Sequence, residues 1–354
     1  MKKIDPKKFS KSKTDKAGKV LAKDGDYDEK KFDAIDVLDN WRAAHSYPMH
    51  IFKMRLKKVS EKIDDEAISV QRLKRVPSIL KKLTREYEGR KATMNLTQMQ
   101  DIAGCRTVMS NLELANKLYE DEYLNSDLKH KKVNEKNYNL NPKSDGYRGI
   151  HLVYKYHSDK NKEDFNGLLV EIQIRSKIQH IWATSVETVD FFTKQAIKSN
   201  EGEYDWVFFF KLVSSAFAKL EGCPIIEGTP YDEKELYLKI KEFEKKLNVI
   251  TRLEKWGSSL KYFEKISDKH NSKFFLLQLD TIQDTLNITS YKKNQEEFAL
   301  KDYAIAEKKV INRDEYDIVL VGVDNLKDLK SAYPNYFIDT REFLKYLKIF
   351  INKY

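Results

Sequence analysis

Cysteine is nearly absent from this chain: Cys105 and Cys223 are the only two in 354 residues, and they lie far apart. They form neither a disulfide framework nor a metal-ligand spacing, which points to a cytoplasmic protein free of disulfides and of zinc. Long apolar runs are missing too. The notable one, Val207–Phe210, is far short of a membrane span. The basic N-terminus has no apolar stretch behind it, so it does not read as a secretory signal. No internal repeat or low-complexity tract stands out. There is also no G-x-x-x-x-G-K-[ST], so any phosphate chemistry here does without a P-loop.

What is present is aromatic and charged. Hydrophobic residues make up 41% and aromatic residues 12%, with 20 Tyr and 18 Phe. That is enough for real cores over a length that suits two domains, and it excludes disorder as the dominant state. Lys and Arg number 65 against 55 Asp and Glu, a formal charge of +10. Part of the excess sits in an N-terminal arm, where Lys2, Lys3, Lys7, Lys8, Lys11, Lys13, Lys16 and Lys19 face only Asp5 and Asp15. Such an arm fits a phosphate-rich partner, and it equally fits a solvated terminus.

The pattern predicts a helix over Ala34–Lys58, interrupted by Pro48. A second helical pattern runs over Ile63–Tyr87 with Pro77 breaking its middle. Strands are expected at Ile102–Met109, Ile150–His157 and Leu168–Arg175, with a polar loop over Asn134–Gly149. Helices are expected at Trp182–Lys198, at Trp206–Leu220 and along the stripe Leu236, Ile240, Phe243, Leu247 and Ile250. A linker is placed at 255–272. A ββαβαα unit of its own follows: Phe274–Leu279, Thr285–Thr289, Gln295–Lys309, Asp317–Val323, Leu326–Ala332 and Thr340–Ile351.

Three segments carry chemistry. Along Val170–Arg175 alternate side chains share a face, so Val170, Ile172 and Ile174 bury together while Glu171, Gln173 and Arg175 line the other side. That row is either a solvent face or the polar floor of a cleft. Asp101 opens the next segment, with Gly104 and Arg106 behind it, and reads either as a metal-and-phosphate corner or as a capped, salt-bridged turn. In the loop Asn141–His151, Pro and Gly shape a turn that would expose Tyr147 between Lys143 and Arg148, beside His151.

Together and in this order these segments resemble the RelA/SpoT synthetase family of pyrophosphokinases. The resemblance rests on Arg72–Ile79 with Lys82 and Arg85, on Asp101–Arg106, on Pro142–His151, and on Glu171–Arg175 followed by Trp182-Ala183, and it covers roughly residues 60–220. It implies an α/β (α+β) fold, with a synthetase domain whose mixed sheet is flanked by helices. It implies ATP held by Arg72, Lys74, Ser78, Lys82, Arg85 and Arg106. Asp101 and Glu171 would bind Mg²⁺ as the catalytic pair, with Glu171 also helping to deprotonate the attacking hydroxyl. Tyr147 would stack on the acceptor, with Lys143, Arg148, His151, Gln173 and Arg175 around it.

Departures from the common pattern concern the acceptor. The chain reads Asp145-Gly146-Tyr147-Arg148-Gly149-Ile150-His151 where guanine-nucleotide-specific members often have Asn-Gly-Tyr-Arg-Ser-Leu-His, and Lys136-Asn137-Tyr138 precedes that loop. Phe9–Lys13 with Lys16–Gly18, Trp41–Pro48 and Trp182–Asp190 are similar to toxic small alarmone synthetases. The C-terminal text Tyr333-Pro334-Asn335-Tyr336 is similar to the antitoxin, pseudo-zinc-finger-like α/β domain of CapRel-type fusions, in which the tyrosines block the ATP site. The implied organisation is a basic arm and helix (1–60), a synthetase or toxin domain (61–254), a linker or anchor helix (255–272) and an antitoxin or sensor domain (273–354). The implied activity is transfer of pyrophosphate from ATP to the 3′ CCA end of tRNA, autoinhibited through Tyr333 and Tyr336 and released by a capsid-like phage protein. The alternatives are a (p)ppGpp or (p)ppApp synthetase with a regulatory domain, and an inactive RNA-binding module.

Overall fold

The computed structural model describes residues 9–354 apart from 24, 88, 89, 92, 161, 194–202, 260, 266–271, 281, 284, 312, 314, 324, 325 and 338. Three helices open it: α1 (Lys11–Leu21), α2 (Glu29–Ala44) and α3 (Ser46–Ile63). Strand β1 (Ile68–Leu73), helix α4 (Val76–Leu83) and the two-residue strands β2 (Glu86–Tyr87) and β3 (Arg90–Lys91) follow. Next come β4 (Ala103–Met109), α5 (Leu112–Tyr119), β5 (Lys131–Asn137), β6 (Ile150–Lys155) and β7 (Leu169–Ser176). Helices α6 (Lys177–Thr193), α7 (Tyr204–Leu220), α8 (Glu233–Leu247) and α9 (Val249–Ser259) form the middle of the chain. The C-terminal part holds β8 (Lys261–Lys265), β9 (Ser272–Asp280), β10 (Thr285–Lys292), α10 (Glu296–Lys309), β11 (Tyr316–Gly322), α11 (Leu326–Ala332) and α12 (Arg341–Asn352).

One mixed nine-stranded sheet, ordered β5-β6-β7-β4-β1-β11-β9-β10-β8, runs through the molecule. The mixed sheet flanked by helices is the architecture expected. The C-terminal strands, however, do not form a sheet of their own. β11 pairs antiparallel with β1, Arg72 opposite Val321, and so continues the central sheet. The region read as a linker contributes too, since Lys261–Lys265 pairs in parallel with Thr285–Thr289.

Alternation along the strands splits the core in two. Leu73, Cys105, Ile172, Leu152 and Leu320 face a layer that includes Leu38, Phe52, Ile79, Leu300 and Tyr303 from α2, α3, α4 and α10. On the other face Val70, Val319, Val321 and Leu277 meet Leu329, Tyr333, Tyr336 and Phe337. α12 inserts Phe343, Leu347 and Phe350 among α6, α7 and α8.

Several local expectations change. Ile63–Tyr87 is not a helix broken at Pro77. Ile68–Leu73 is drawn into the sheet by neighbours on both sides, and Pro77 opens α4, where its missing N–H costs nothing. Pro48 likewise sits in the first turn of α3, and the break falls at His45. Part of the polar Asn134–Gly149 stretch is strand: β5 is an edge strand paired only to β6, so a charged sequence suits it.

Candidate active site

Sheet register places the site. Arg72 on β1 lies opposite Gly104 on β4, and Gly104 lies opposite Glu171 on β7. In the next row Arg106 stands beside Gln173, and Gln173 beside His151 on β6. All of these side chains share the face turned away from the N-terminal helices. Gly104 leaves a gap between Arg72 and Glu171, since a Cβ there would meet only the Arg72 carbonyl oxygen, at 3.8 Å.

Asp101 precedes β4, and both of its oxygens are taken by ammonium groups: Oδ2 by Lys74 at 2.7 Å and Oδ1 by Lys82 at 3.1 Å. Burial pushes its carboxyl up, but the two lysines outweigh that and hold it at about 2. Glu171 is also held below its ordinary value. Burial and the Asp101 charge raise it, while His151 and Gln173 lower it.

Glu171, Gln173 and Arg175 form a polar floor, and a ring of hydrogen bonds closes over it. Gln173 Nε2 donates to Glu171 Oε2 at 2.6 Å, and Arg175 Nη2 donates to Gln173 Oε1 at 3.0 Å. Arg175 Nε and Nη2 both donate to the Tyr147 hydroxyl, at 3.1 and 2.9 Å. With two donors on its oxygen, Tyr147 must give its own proton to His151 Nε2, 2.6 Å away. His151 then carries its proton on Nδ1 and donates to Glu171 Oε1 at 3.0 Å. The ring therefore assigns the neutral imidazole tautomer beside an ionised Glu171.

Tyr147 is buried, not presented as an exposed ring. The Lys143 ammonium stands 4.8 Å from its centroid and 4.8 Å from that of Tyr138, which itself packs edge-on against Tyr147 and His151. Arg148 points the opposite way from its neighbour. It donates to Ser214 Oγ at 3.4 Å and to the Pro224 carbonyl, so it ties the loop to α7 and does not join the ring. Ser214 in turn donates to the Gly146 carbonyl at 2.6 Å, and Gly146 needs its positive φ of +98° there. Ser78, in the first turn of α4, and Arg85, just past its end, lie along the same element as Lys82.

Positive charge crowds this face. Burial pulls Arg106 down to about 10 despite the Tyr333 phenol, and Arg175 and Arg72 add to that pull. Arg106 Nε and Arg175 Nη1 are buried without a hydrogen-bond partner. Donors left unmet in a cationic cleft fit a polyanion. The two ionised carboxylates fit a hard cation that takes its other ligands from phosphate and water. Among the described residues no group of three or more His, Cys, Asp or Glu is placed to hold a metal by itself.

The segment after α11 covers the Arg72–Arg106 side. Tyr333 and Tyr336 are 2% and 1% exposed. The Arg106 guanidinium lies 4.9 Å from the Tyr333 centroid, and its Nη2 donates to the Ala332 carbonyl. His180 Nε2 donates to the Ser331 carbonyl at 3.1 Å. Arg75 donates to the Tyr336 hydroxyl at 3.3 Å and pairs with Asp317 on β11. Sequence reasoning missed Arg75, His180 and Asp317. Only Arg75 carried a signal, as the base between Lys74 and the α4 proline.

Residues 71–192, from β1 to α6, match the family described as "Region found in RelA / SpoT proteins". Solved structures that the chain is similar to include small alarmone synthetase 1 from Bacillus subtilis. It is 24% identical with a TM-score of 0.42, over 53% of this chain and 93% of that one. Small alarmone synthetase 2 from the same organism is 21% identical with a TM-score of 0.42, over 52% and 94%. A GTP pyrophosphokinase family protein from Streptococcus pneumoniae is 20% identical with a TM-score of 0.39, over 49% and 85%. These likenesses are slight, and the family match to residues 71–192 is what places a RelA/SpoT-type region on this sheet face. No curated protein matches. Among the described residues no helix is long and apolar enough to cross a membrane.

Proposed function

We propose that this protein is a cytoplasmic, ATP-dependent pyrophosphokinase that modifies the 3′ CCA end of tRNA. Its C-terminal part holds it inactive until a capsid-like phage protein binds. The observation that carries the enzymatic reading is the gap at Gly104 beside Arg72, on a sheet face where Arg106 and Arg175 keep unmet guanidinium donors and the Asp101 and Glu171 carboxylates are ionised. Arg72 and Arg106 would take the donor nucleotide, and Lys74, Ser78, Lys82 and Arg85 its phosphates. Asp101 and Glu171 would hold Mg²⁺, which supplies charge neutralisation on the phosphates when bound.

The acceptor oxygen attacks the β-phosphorus, the bond between the α–β bridging oxygen and that phosphorus breaks, and AMP leaves. The hydroxyl proton passes to Glu171, which His151 and Gln173 keep ionised and oriented. Lys143, Tyr147, Gln173 and Arg175 would position the acceptor. Autoinhibition is supported by Tyr333 and Tyr336, which lie over Arg106 and against Arg75 where the donor would sit.

The test uses the full chain and its Tyr336→Ala variant with γ-labelled ATP, offered deacylated tRNA or guanine and adenine nucleotides. Label on tRNA, stronger for Tyr336→Ala, is the expected result. Label on nucleotides alone would establish a (p)ppGpp or (p)ppApp synthetase instead. No transfer to any acceptor by Tyr336→Ala would leave an RNA-binding module as the reading.

A further inference from the structure

One carboxylate from the C-terminal part reaches beneath the donor side. Glu307, on α10, is 4% exposed. Its Oε1 accepts the Val76 backbone N–H at 2.9 Å, and its Oε2 accepts from Arg42 Nη1 at 2.7 Å. Val76 is the first residue of α4. The N-cap of that helix, Arg75, makes no side-chain capping bond, and Pro occupies its N1/N2 position. A helix start leaves backbone donors without intrahelical partners and favours a negative charge. Glu307 meets both needs from 231 residues away.

The reach is well anchored. Arg42 also bonds Asp39 Oδ1 at 3.1 Å and lies 4.7 Å from the Tyr303 ring centroid, while Lys308 pairs with Asp36 on α2. α10 buries Ala299, Leu300 and Tyr303 in the same core as Ile79 of α4. The contact is therefore built into the packed layer under the sheet, on the side opposite Tyr333 and Tyr336.

We propose that Glu307 is a positioning residue for the donor site, capping in space the helix that carries Ser78 and Lys82. The C-terminal part then has two separate roles. Its α11–Tyr336 segment covers the donor side, while α10 belongs permanently to the frame that holds α4, so release concerns the segment and leaves α10 in place. This rests on reading α4 as the donor helix.

The decisive measurement is amide hydrogen exchange on the full chain without nucleotide, for wild type and for Glu307→Ala, Glu307→Asp and Glu307→Gln. Binding of a non-hydrolysable ATP analogue is measured in parallel in the Tyr336→Ala background. Loss of the cap should speed exchange at residues 76–83 about tenfold in Glu307→Ala, with β7 unchanged. Glu307→Asp keeps the charge but withdraws the oxygen by one methylene, so it should speed the same amides about threefold or more. Glu307→Gln keeps an acceptor oxygen and should restore most of the protection. The analogue should bind about tenfold more weakly to Glu307→Ala and near normally to Glu307→Gln. Unchanged exchange at 76–83 in Glu307→Asp, or acceleration spread evenly over the chain, overturns the proposal. If Glu307→Ala does not fold, the Asp and Gln variants decide. Failure of the analogue to bind even without a Glu307 change would defeat the donor reading, while the exchange data would still judge the cap.

Discussion

Asp101 and Glu171 stand close enough for each charge to bear on the other, yet they are held in opposite ways. Asp101 is gripped by two lysines, whose long stems can swing to a phosphate and return. Glu171 belongs to a closed ring of side chains from β6, β7 and the loop before β6, in which each hydrogen bond dictates the next. Each side keeps one unmet guanidinium donor, Arg106 Nε and Arg175 Nη1, but the donor side is covered by another part of the chain, whereas the acceptor-side groups otherwise bond one another. Polyanion binding calls for charge that can be uncovered and adjusted. Activation of one hydroxyl calls for geometry set in advance.

The harshest test of this contrast is Glu171→Gln in the Tyr336→Ala background. Label transfer should fall by about 10²–10⁴-fold, with the melting temperature little changed. A fall of less than tenfold would remove Glu171 from the chemistry. Gly104→Ala probes the donor side. The added methyl has room in the fold but projects into the gap beside Arg72, so ATP affinity should drop about tenfold at unchanged stability. Equal losses for ATP and acceptor would erase the distinction between the two sides.

Tyr147→Phe should act on the acceptor alone, because it removes the hydroxyl shared by Arg175 and His151. We expect acceptor KM to rise about fivefold with the KM for ATP unmoved, read from separate saturation curves. The last test reads stability instead of activity and concerns the frame under α4. Burial pushes the Asp39 carboxyl up to about 6, with Arg42 opposing and Glu307 adding. A raised carboxyl contributes stability below its ordinary value and loses it as pH rises through about 6. Urea melts of wild type and Asp39→Asn should therefore diverge by about 1–3 kcal/mol in favour of the variant between pH 4 and pH 8. Parallel curves would show Asp39 fully compensated by Arg42.

Much of the site was legible in the residues. Alternation alone aligned Glu171, Gln173 and Arg175, and hydrogen bonds now link those three. The strands at Ala103–Met109, Ile150–Lys155 and Leu169–Ser176 followed from dense β-branched and apolar runs. Ile68–Leu73 was misread because its apolar spacing also suits a helix, and pairing to β4 and β11 decided the matter. Tyr147 and Arg148 were taken as exposed because turn residues surround them. What buries them is α7, a helix more than fifty residues later in the chain, whose Ser214 bonds both Arg148 and Gly146.

The sequence by itself determined the strand face that Glu171, Gln173 and Arg175 share and the motif order within residues 71–192, because each depends on spacing along a few residues. Only the tertiary structure decided that β11 extends the same sheet, that Tyr333 meets Arg106, and that Glu307 caps α4. Those contacts join segments over two hundred residues apart. No local pattern encodes them, and it is packing of the whole chain that selects them.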